Sequence, residues 1–362
     1  MASIHKYMDI VDWAIEQIAS DVFKPKDKFL SEAALGEKFN CSRQTVRRAL
    51  EVLKQQGYVT RIQGSGTYIS PVLRSTRIQT AEKKVMSRTV GLISTFMDNY
   101  IFPSIIRGIE SIFSSNGIAL QLASTSNLIS GETRALQLML DRHLDGLIVE
   151  PTRSALPCAN LDLYHTIEKR SIPLLFIDSF YPELSIPYIT LDDVKAGYMA
   201  TKYLISRGHR DIAGIFPHSN RQAHLRYLGY VKALTEQGIA IQDHCVFWHS
   251  RENMQQVLHS EQLLEGLMEC TAVLCYNDST AVMLIDILKQ NNRQIPDDLS
   301  VVGIDNSELA RISSLTSVVH PAEKLGEAAA NMLLSMMDGA EGENILFPPQ
   351  LIIRTSVKDV TA

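Results

Sequence analysis

Apolar positions recur at helical spacing through the first 57 residues, then change to short continuous runs beyond residue 89. In "YMDIVDWAIEQIAS", Val11, Ala14, Ile15 and Ile18 stand at i, i+3, i+4 and i+7, the stripe of a one-sided helix. "LSEAALGEKFN" predicts a second helix, capped by Ser31, with Ala34, Leu35 and Phe39 turned inward. A short turn at Asn40-Cys41 leads to Ser42, a good N-cap for "SRQTVRRALEVLKQQG", which stops at Gly57. Its apolar face is Val46, Ala49, Leu50 and Leu53. Gln44, Arg47 and Arg48 lie on the opposite half, with Arg43 flanking them at the first turn. "YVTRIQGSGTYI" then places strand-forming residues on both sides of Gly64-Ser65-Gly66 and predicts a hairpin.

From Thr89 the rhythm differs. "TVGLIS" (89–94), "IALQLAS" (118–124), "DGLIVEP" (145–151) and "IPLLFID" (172–178) predict buried strands. "SIIRGIESIFSSNG" (104–117) and "GETRALQLMLDRH" (131–143) between them predict helices. The alternation restarts with the helix "AGYMATKYLISRGH". It continues through the strands "IAGIF", "VFW", "AVLCY" and "SVVGI" and the helices "RQAHLRYLGYVKALTEQG" and "STAVMLIDILKQ". Near-continuous apolar strands separated by helices predict parallel sheets covered on both faces. Two such runs predict two lobes with a cleft between them, and ligands bind outside the carboxyl ends of such strands. "ANMLLSMMD" (330–338) predicts helix core or a dimer surface, not a cofactor box. The polar, basic "PVLRSTRIQTAEKKVMSR" reads as a linker. The organisation is therefore a first domain over 1–70, a linker over 71–88 and a second domain over 89–362.

Charge sharpens this division. The chain of 362 residues carries a net charge of -5. Residues 1–89 hold 15 Lys/Arg against 9 Asp/Glu, which leaves 20 against 31 for the rest. A basic module on an acidic body points to polyanion binding by the first module alone. Five cysteines, an odd number without CxxC spacing, predict a reduced, cytoplasmic chain and no metal site. No run of about 18 apolar residues predicts a membrane span. "MASIHKYMDIVDW" is not a signal peptide.

A helix docked through Val46, Ala49, Leu50 and Leu53 can present its other side to a major groove. Arg43, Arg47 and Arg48 suit guanine edges and phosphates, Gln44 suits adenine, and Ser42 and Thr45 suit phosphate oxygens. The hairpin is then a wing with Arg61, Gln63 and Gly64 near its tip. The "GSG" lacks the third glycine of a dinucleotide loop and opens no helix, so it is a turn. "FLSEAALGEKFNCSRQTVRRALEVLKQQGYVTRIQGSGTYIS" resembles the winged helix-turn-helix of the GntR family of bacterial regulators. It departs at "FLSE", where the family often has Pro before Ser31, and at Cys41, where Val is usual. The resemblance implies DNA contacts by Glu32, Arg43, Thr45, Arg47 and Gln63, with Lys6 reaching the backbone.

In the second domain, polar residues at predicted strand ends suit a sugar, which needs donors and acceptors plus an apolar platform. Tyr100 and Phe102 follow the first strand, Glu150 the third and Asp178 the fourth. Arg226, Asn277 and Asp305 come from the second run. The bland alternative is capping: Asp278 or Ser279 suits the N-cap of "STAVMLIDILKQ", and Asp192-Asp193 in "TLDD" suits a cap for the helix from Val194. Two roles are open for His320, His224 and Tyr276: backing the cleft residues from behind or, the expected one, a structural role. The phrases "HLDGLIVEP", "AVLCYNDSTA" and "PDDLSVVGIDNSELA" resemble the LacI/GalR sugar-sensing domain. That implies an α/β two-lobe periplasmic-binding-protein-like fold beside the α+β winged helix-turn-helix, with Phe102, Glu150, Asp178, Arg226, Asn277 and Asp305 lining the cleft.

A GntR-type reader on such a sensor resembles the arabinose repressors of Gram-positive bacteria. The pairing implies a dimer on double-stranded operator DNA that lets go when L-arabinose enters the cleft. No cofactor is expected. No G-x-S-x-G, Walker, HExxH or dinucleotide motif marks an enzyme. Two alternatives stay open: a regulator sensing a different sugar, and a sugar-processing enzyme with an accessory DNA-binding domain.

Overall fold

The computed structural model describes residues 3–19, 22–55, 57–62, 65–70, 88–97 and 100–361. The chain divides into two compact units, Met1–Met86 and Ser87–Ala362. Apart from Arg88, the predicted linker lies outside the described residues.

The first unit contains α1 (Ser3–Ala19), α2 (Glu32–Lys38), α3 (Arg43–Gln55), β1 (Val59–Ile62) and β2 (Gly66–Ile69). Both predicted caps are in place. Ser31 Oγ accepts from the Ala34 N–H (3.2 Å), and Ser42 Oγ accepts from the Thr45 N–H (3.3 Å). The predicted stripe of α3 is buried in full, against Ile10, Val11 and Ala14 of α1 and Leu35 of α2. Ile15 and Ile18 are only partly buried, because the helix turns them to the edge of that core. β1 and β2 pair antiparallel from Val59↔Ile69 to Ile62↔Gly66. An unforeseen bridge, Lys28↔Tyr68, covers the other edge of β2. Its residues carry no strand pattern; the open backbone groups of β2 recruit them.

The second unit opens with β3 (Thr89–Ser94), α4 (Phe102–Ser115), β4 (Ala119–Ser124), α5 (Ile129–Leu140), β5 (Gly146–Val149), α6 (Leu161–Lys169), β6 (Leu174–Ile177) and β7 (Tyr188–Leu191). It continues with α7 (Asp193–Ser206), β8 (Ile212–Pro217), α8 (Arg221–Glu236), β9 (Val246–His249), α9 (Met254–Leu258), α10 (Glu261–Gly266), β10 (Ala272–Cys275), α11 (Asp278–Gln290), β11 (Ser300–Asp305), α12 (Glu308–Ile312) and β12 (Thr316–Val319). It ends with α13 (Ala322–Met337), β13 (Ile345–Phe347) and β14 (Leu351–Ile352). Two six-stranded sheets result, ordered β13-β7-β6-β5-β3-β4 and β14-β12-β11-β10-β8-β9. All pairings are parallel except β12 with β14.

The two lobes are not consecutive in the chain, as the restarted rhythm had suggested. The backbone leaves the first sheet after Leu191 and returns after Val319, so that α13 packs on the first lobe through Leu325, Ala329 and Leu333. It adds β13 to the first sheet and then β14 to the second. Strands as short as β13 and β14 carry too little pattern to reveal this. The Met-containing run belongs to α13, where Met332 and Met337 pack on that core. No helix among the described residues is long and apolar enough to cross a membrane.

Backbone-close helix crossings set both lobes. A Cβ on Gly108 of α4 would lie 2.1 Å from the Glu323 carbonyl oxygen, and one on Gly326 of α13 would lie 2.2 Å from that of Ile105. Gly197 of α7 and Gly229 of α8 repeat the arrangement at 2.0 and 2.1 Å from the Arg226 and Val194 carbonyls. Only glycine permits such an approach. Gly326→Ala is expected to destabilise the second unit by about 1–3 kcal/mol through overpacking, read as a lower urea midpoint; an unchanged midpoint would contradict the crossing.

Candidate ligand cleft and nucleic-acid interface

In the first unit, three of the predicted DNA-facing residues meet. Glu32, at the start of α2, accepts from Arg47 Nε of α3 through Oε2 (3.0 Å) and from Arg61 Nη2 of β1 through Oε1 (2.8 Å). The Arg47 hydrogen bond, with both arginine charges, holds the Glu32 carboxyl below its ordinary pKa against the opposing effect of burial. One carboxylate thus aligns a helix arginine with a hairpin arginine. Arg43 and Gln44 are exposed on the first turn of α3, and the Ser42 and Thr45 hydroxyls are 2.9 Å apart. Arg48 is exposed but turned to α1, its guanidinium 4.5 Å from the Tyr7 ring centre. The Lys6 side chain, Gln63 and Gly64 lie outside the described residues.

In the second unit, the carboxyl ends of both sheets face a cavity of about 240 Å³ that all seven predicted cleft residues line. This is smaller than the roughly 300–1,000 Å³ of pockets for drug-sized ligands. From the first lobe, Glu150 follows β5 and is saturated with donors. Ser94 Oγ (2.8 Å) and the Thr95 N–H (2.7 Å) donate to Oε2, and Thr95 Oγ1 donates to Oε1 (2.6 Å). Burial, helped by the Asp178 charge, pushes Glu150 up to about 8 against those donors. Asp178, after β6, accepts from Gln222 Nε2 (3.2 Å) and pairs with His320 Nε2 (2.8 Å). Burial alone would raise it, but His320 and the Arg226 charge hold it below the ordinary value. Phe102 opens α4 and packs on Phe96 at 5.7 Å; the Arg251 guanidinium covers Phe96 at 3.9 Å.

The second lobe centres on Arg226 of α8, whose side chain is 3% exposed. Its Nε donates to Asp193 (2.7 Å), Nη1 to the Tyr276 carbonyl (2.7 Å) and Nη2 to Asp305 (3.4 Å). Its plane lies 4.7 Å from the Tyr276 ring centre. Burial opposes the charge, yet Asp193 and Asp305 keep the guanidinium firmly protonated. Burial raises Asp305 and brings Asp193 to about 6, Arg226 opposing both shifts.

Two predicted residues are committed elsewhere. The Tyr100 hydroxyl donates across the lobes to Asp305 Oδ2 (2.6 Å) and accepts from the Asp278 N–H (3.1 Å), so its ring faces the cleft while its polar atom ties the lobes together. Asn277 Oδ1 caps α11, accepting from the N–H and hydroxyl of Thr280 (2.9 Å each). That corrects the expected cap at Asp278 or Ser279. Asp278 is instead buried under Ser307 and Ser317 hydroxyls, and its burial raises it to about 7.

Asp192 does cap α7, with Oδ1 accepting from the Lys195 N–H (3.0 Å). Its neighbour Asp193 was missed as a partner of Arg226, and Gln222 as a partner of Asp178. Nothing local marks either, because the groups they meet are 33 and 44 positions away. Of the residues expected to be structural, Tyr276 supports Arg226. His224 lies outside the cleft, exposed beside Trp248.

Both units resemble known proteins. Residues 6–69 match the model of bacterial regulatory proteins of the gntR family, and 201–357 match a periplasmic binding protein-like domain. The chain is 35% identical to an arabinose metabolism transcriptional repressor of Halalkalibacterium halodurans, covering 98% of this chain and 97% of that one. It is 33% identical to one of Geobacillus stearothermophilus, covering 99% of each. The solved structure of the transcription regulator CcpA of Lactococcus lactis superposes with a TM-score of 0.67 at 25% identity, covering 75% of this chain and all of that one.

Removing Arg226 strands two buried carboxylates. Arg226→Leu is expected to destabilise the second unit by about 3–5 kcal/mol at pH 7.5. Unpaired Asp193 and Asp305 would then have folded pKa values above their unfolded ones. Stability would return as pH falls and they protonate. Denaturant unfolding at pH 7.5 and 5.5 checks both; a loss that does not shrink at the lower pH contradicts the charge account.

Proposed function

Because the chain belongs to the family of the arabinose metabolism transcriptional repressors, we propose that L-arabinose is its effector and that sugar binding releases it from operator DNA. The observation that carries the reading is the match of both modules, end to end, to relatives of that name. The cleft suits the chemistry. Asp178 and Asp305 accept from sugar hydroxyls, Glu150, raised to about 8, can donate its carboxyl proton, and Arg226 donates through the N–H groups its partners leave over. Phe102 and the Tyr100 ring offer an apolar face, and the small volume favours one sugar ring. A phosphorylated sugar would meet several carboxylates and one arginine already paired. The reading needs no catalytic step and no cofactor.

On the DNA side, the exposed first turn of α3 enters the major groove. Arg43, Gln44 and Arg47 reach base edges, Ser42 and Thr45 reach phosphates, and Arg61 follows on the hairpin. Glu32 orients Arg47 and Arg61. Arg48, stacked on Tyr7, takes a phosphate. A homodimer presents two such helices to a pseudo-palindromic site. The sugar favours the sensor conformation whose readers no longer fit both half-sites, and it shifts the equilibrium only by its differential affinity for the two states.

Fluorescence anisotropy on duplexes selected by the protein from a random library tests the first claim. Saturating L-arabinose is expected to weaken binding; undiminished binding would rule the sugar out as inducer. Calorimetry across pentoses and hexoses separates L-arabinose from another sugar as effector. Arg47→Ala is expected to cost about 1–3 kcal/mol of binding to the selected site and to relax the preference for one base. Wild-type affinity in that variant would remove Arg47 from the reading set.

A further inference from the structure

The chain passes back from the second lobe to the first between β12 and α13, and His320 is the buried polar side chain on that passage. Its backbone N–H donates to the Asp305 carbonyl (3.2 Å) in the second lobe, and its carbonyl accepts from the Ala322 N–H (2.8 Å) at the start of α13. Its Nε2 lies 2.8 Å from Asp178 Oδ1 in the first lobe. The other ring nitrogen, Nδ1, is buried and has no hydrogen-bond partner among the described residues. A buried ring that satisfies one nitrogen and leaves the other bare is not there for packing or self-sufficiency; a hydrocarbon ring would bury at lower cost. What the imidazole does make is one bond, to a carboxylate that lines the cleft. Asp178 itself sits at a positive φ of 64°, so its backbone alone does not favour its orientation.

We propose that His320 is a positioning residue for effector binding: from the crossover it fixes one oxygen of Asp178 so that the carboxylate faces the ligand. The proposal rests on the effector reading of the cleft. Gln222 of α8 holds the other oxygen at 3.2 Å, so Asp178 is gripped from the crossover and from the second lobe together. The charged groups around the imidazole are Asp178, Asp193, Asp305 and Arg226. Burial disfavours its charge, but the Asp178 hydrogen bond and the carboxylates outweigh burial and raise its pKa above the ordinary histidine value. The imidazole therefore holds its proton to higher pH than an ordinary histidine and loses it as pH rises further. Its bond to Asp178 then changes from charge-assisted to neutral, with about half the strength.

Calorimetric titration of the full-length chain with L-arabinose tests this with two variants. His320→Gln keeps an N–H donor for Asp178, whereas His320→Phe keeps a ring and loses the donor. The Phe variant is expected to lose about 10-fold or more in affinity, and the Gln variant clearly less. The affinity advantage of wild type over Gln is expected to be larger at pH 6 than at pH 9. Glu150, Asp193 and Asp278 titrate in both proteins and enter that ratio only through their coupling to His320. A Phe variant that binds as well as the Gln variant, or a ratio that does not move with pH, overturns the proposal. If the Phe variant does not fold, the pH dependence of the ratio decides alone. A wild type that binds no pentose fails differently, taking down the effector reading and this inference with it.

Discussion

A guanidinium cannot shed its charge, so a buried arginine dictates what surrounds it. Arg226 sits almost wholly out of water, and its partners are drawn from the start of α7, the end of β10 and the end of β11. Those are the ends that face the first lobe. Asp305, placed by Arg226, receives the Tyr100 hydroxyl from across the cleft. The lobe junction and the cleft polarity follow from balancing one cation, while burial raises the carboxyl groups beside it against the pull of Arg226. The close crossing of α7 and α8 at Gly197 and Gly229 brings Asp193 within reach of it.

The topology gives that junction its mechanical meaning. Three short passages, near Asp192, His320 and Gln350, carry the chain between lobes whose own cores are tightly closed. Rotation of one packed body against another concentrates its change in such passages. The polar contacts between lobes, such as Tyr100 with Asp305, Arg153 with Glu252 (2.5 Å) and Gln222 with Asp178, sit on the cleft side of them. Ligand hydroxyls in the cleft would compete with or complete those contacts, which is how occupancy biases the lobe arrangement.

In the reader, the balance runs the other way. The Arg47 side chain is 65% exposed and that of Arg61 is 58% exposed. Exposed pairs of this kind contribute about 0–1 kcal/mol. Glu32 therefore aligns its two arginines without locking them, and a phosphate or guanine edge can take them over at little loss. Buried pairing builds the sensor; exposed pairing keeps the reader adaptable.

Local chemistry made much of this legible. The period of Val46, Ala49, Leu50 and Leu53, the hydroxyls of Ser31 and Ser42, and the turn after Ile62 act over a few residues, so the order of letters carries them. Strand-end positions likewise brought Glu150, Asp178 and Asp305 to one cavity, because a parallel sheet aligns its carboxyl ends. The interleaving of the lobes, the bond between Asp193 and Arg226, the commitment of Asn277 to a cap and the ring of His320 against Asp178 were not legible. Each joins groups whose separation along the chain has no fixed relation to their separation in space. By itself the sequence determined most of the elements and the family of the chain, because periodicity and capping are short-range. Only the tertiary structure decided which charges are buried together, because the penalty for burying a charge depends on partners that folding alone supplies.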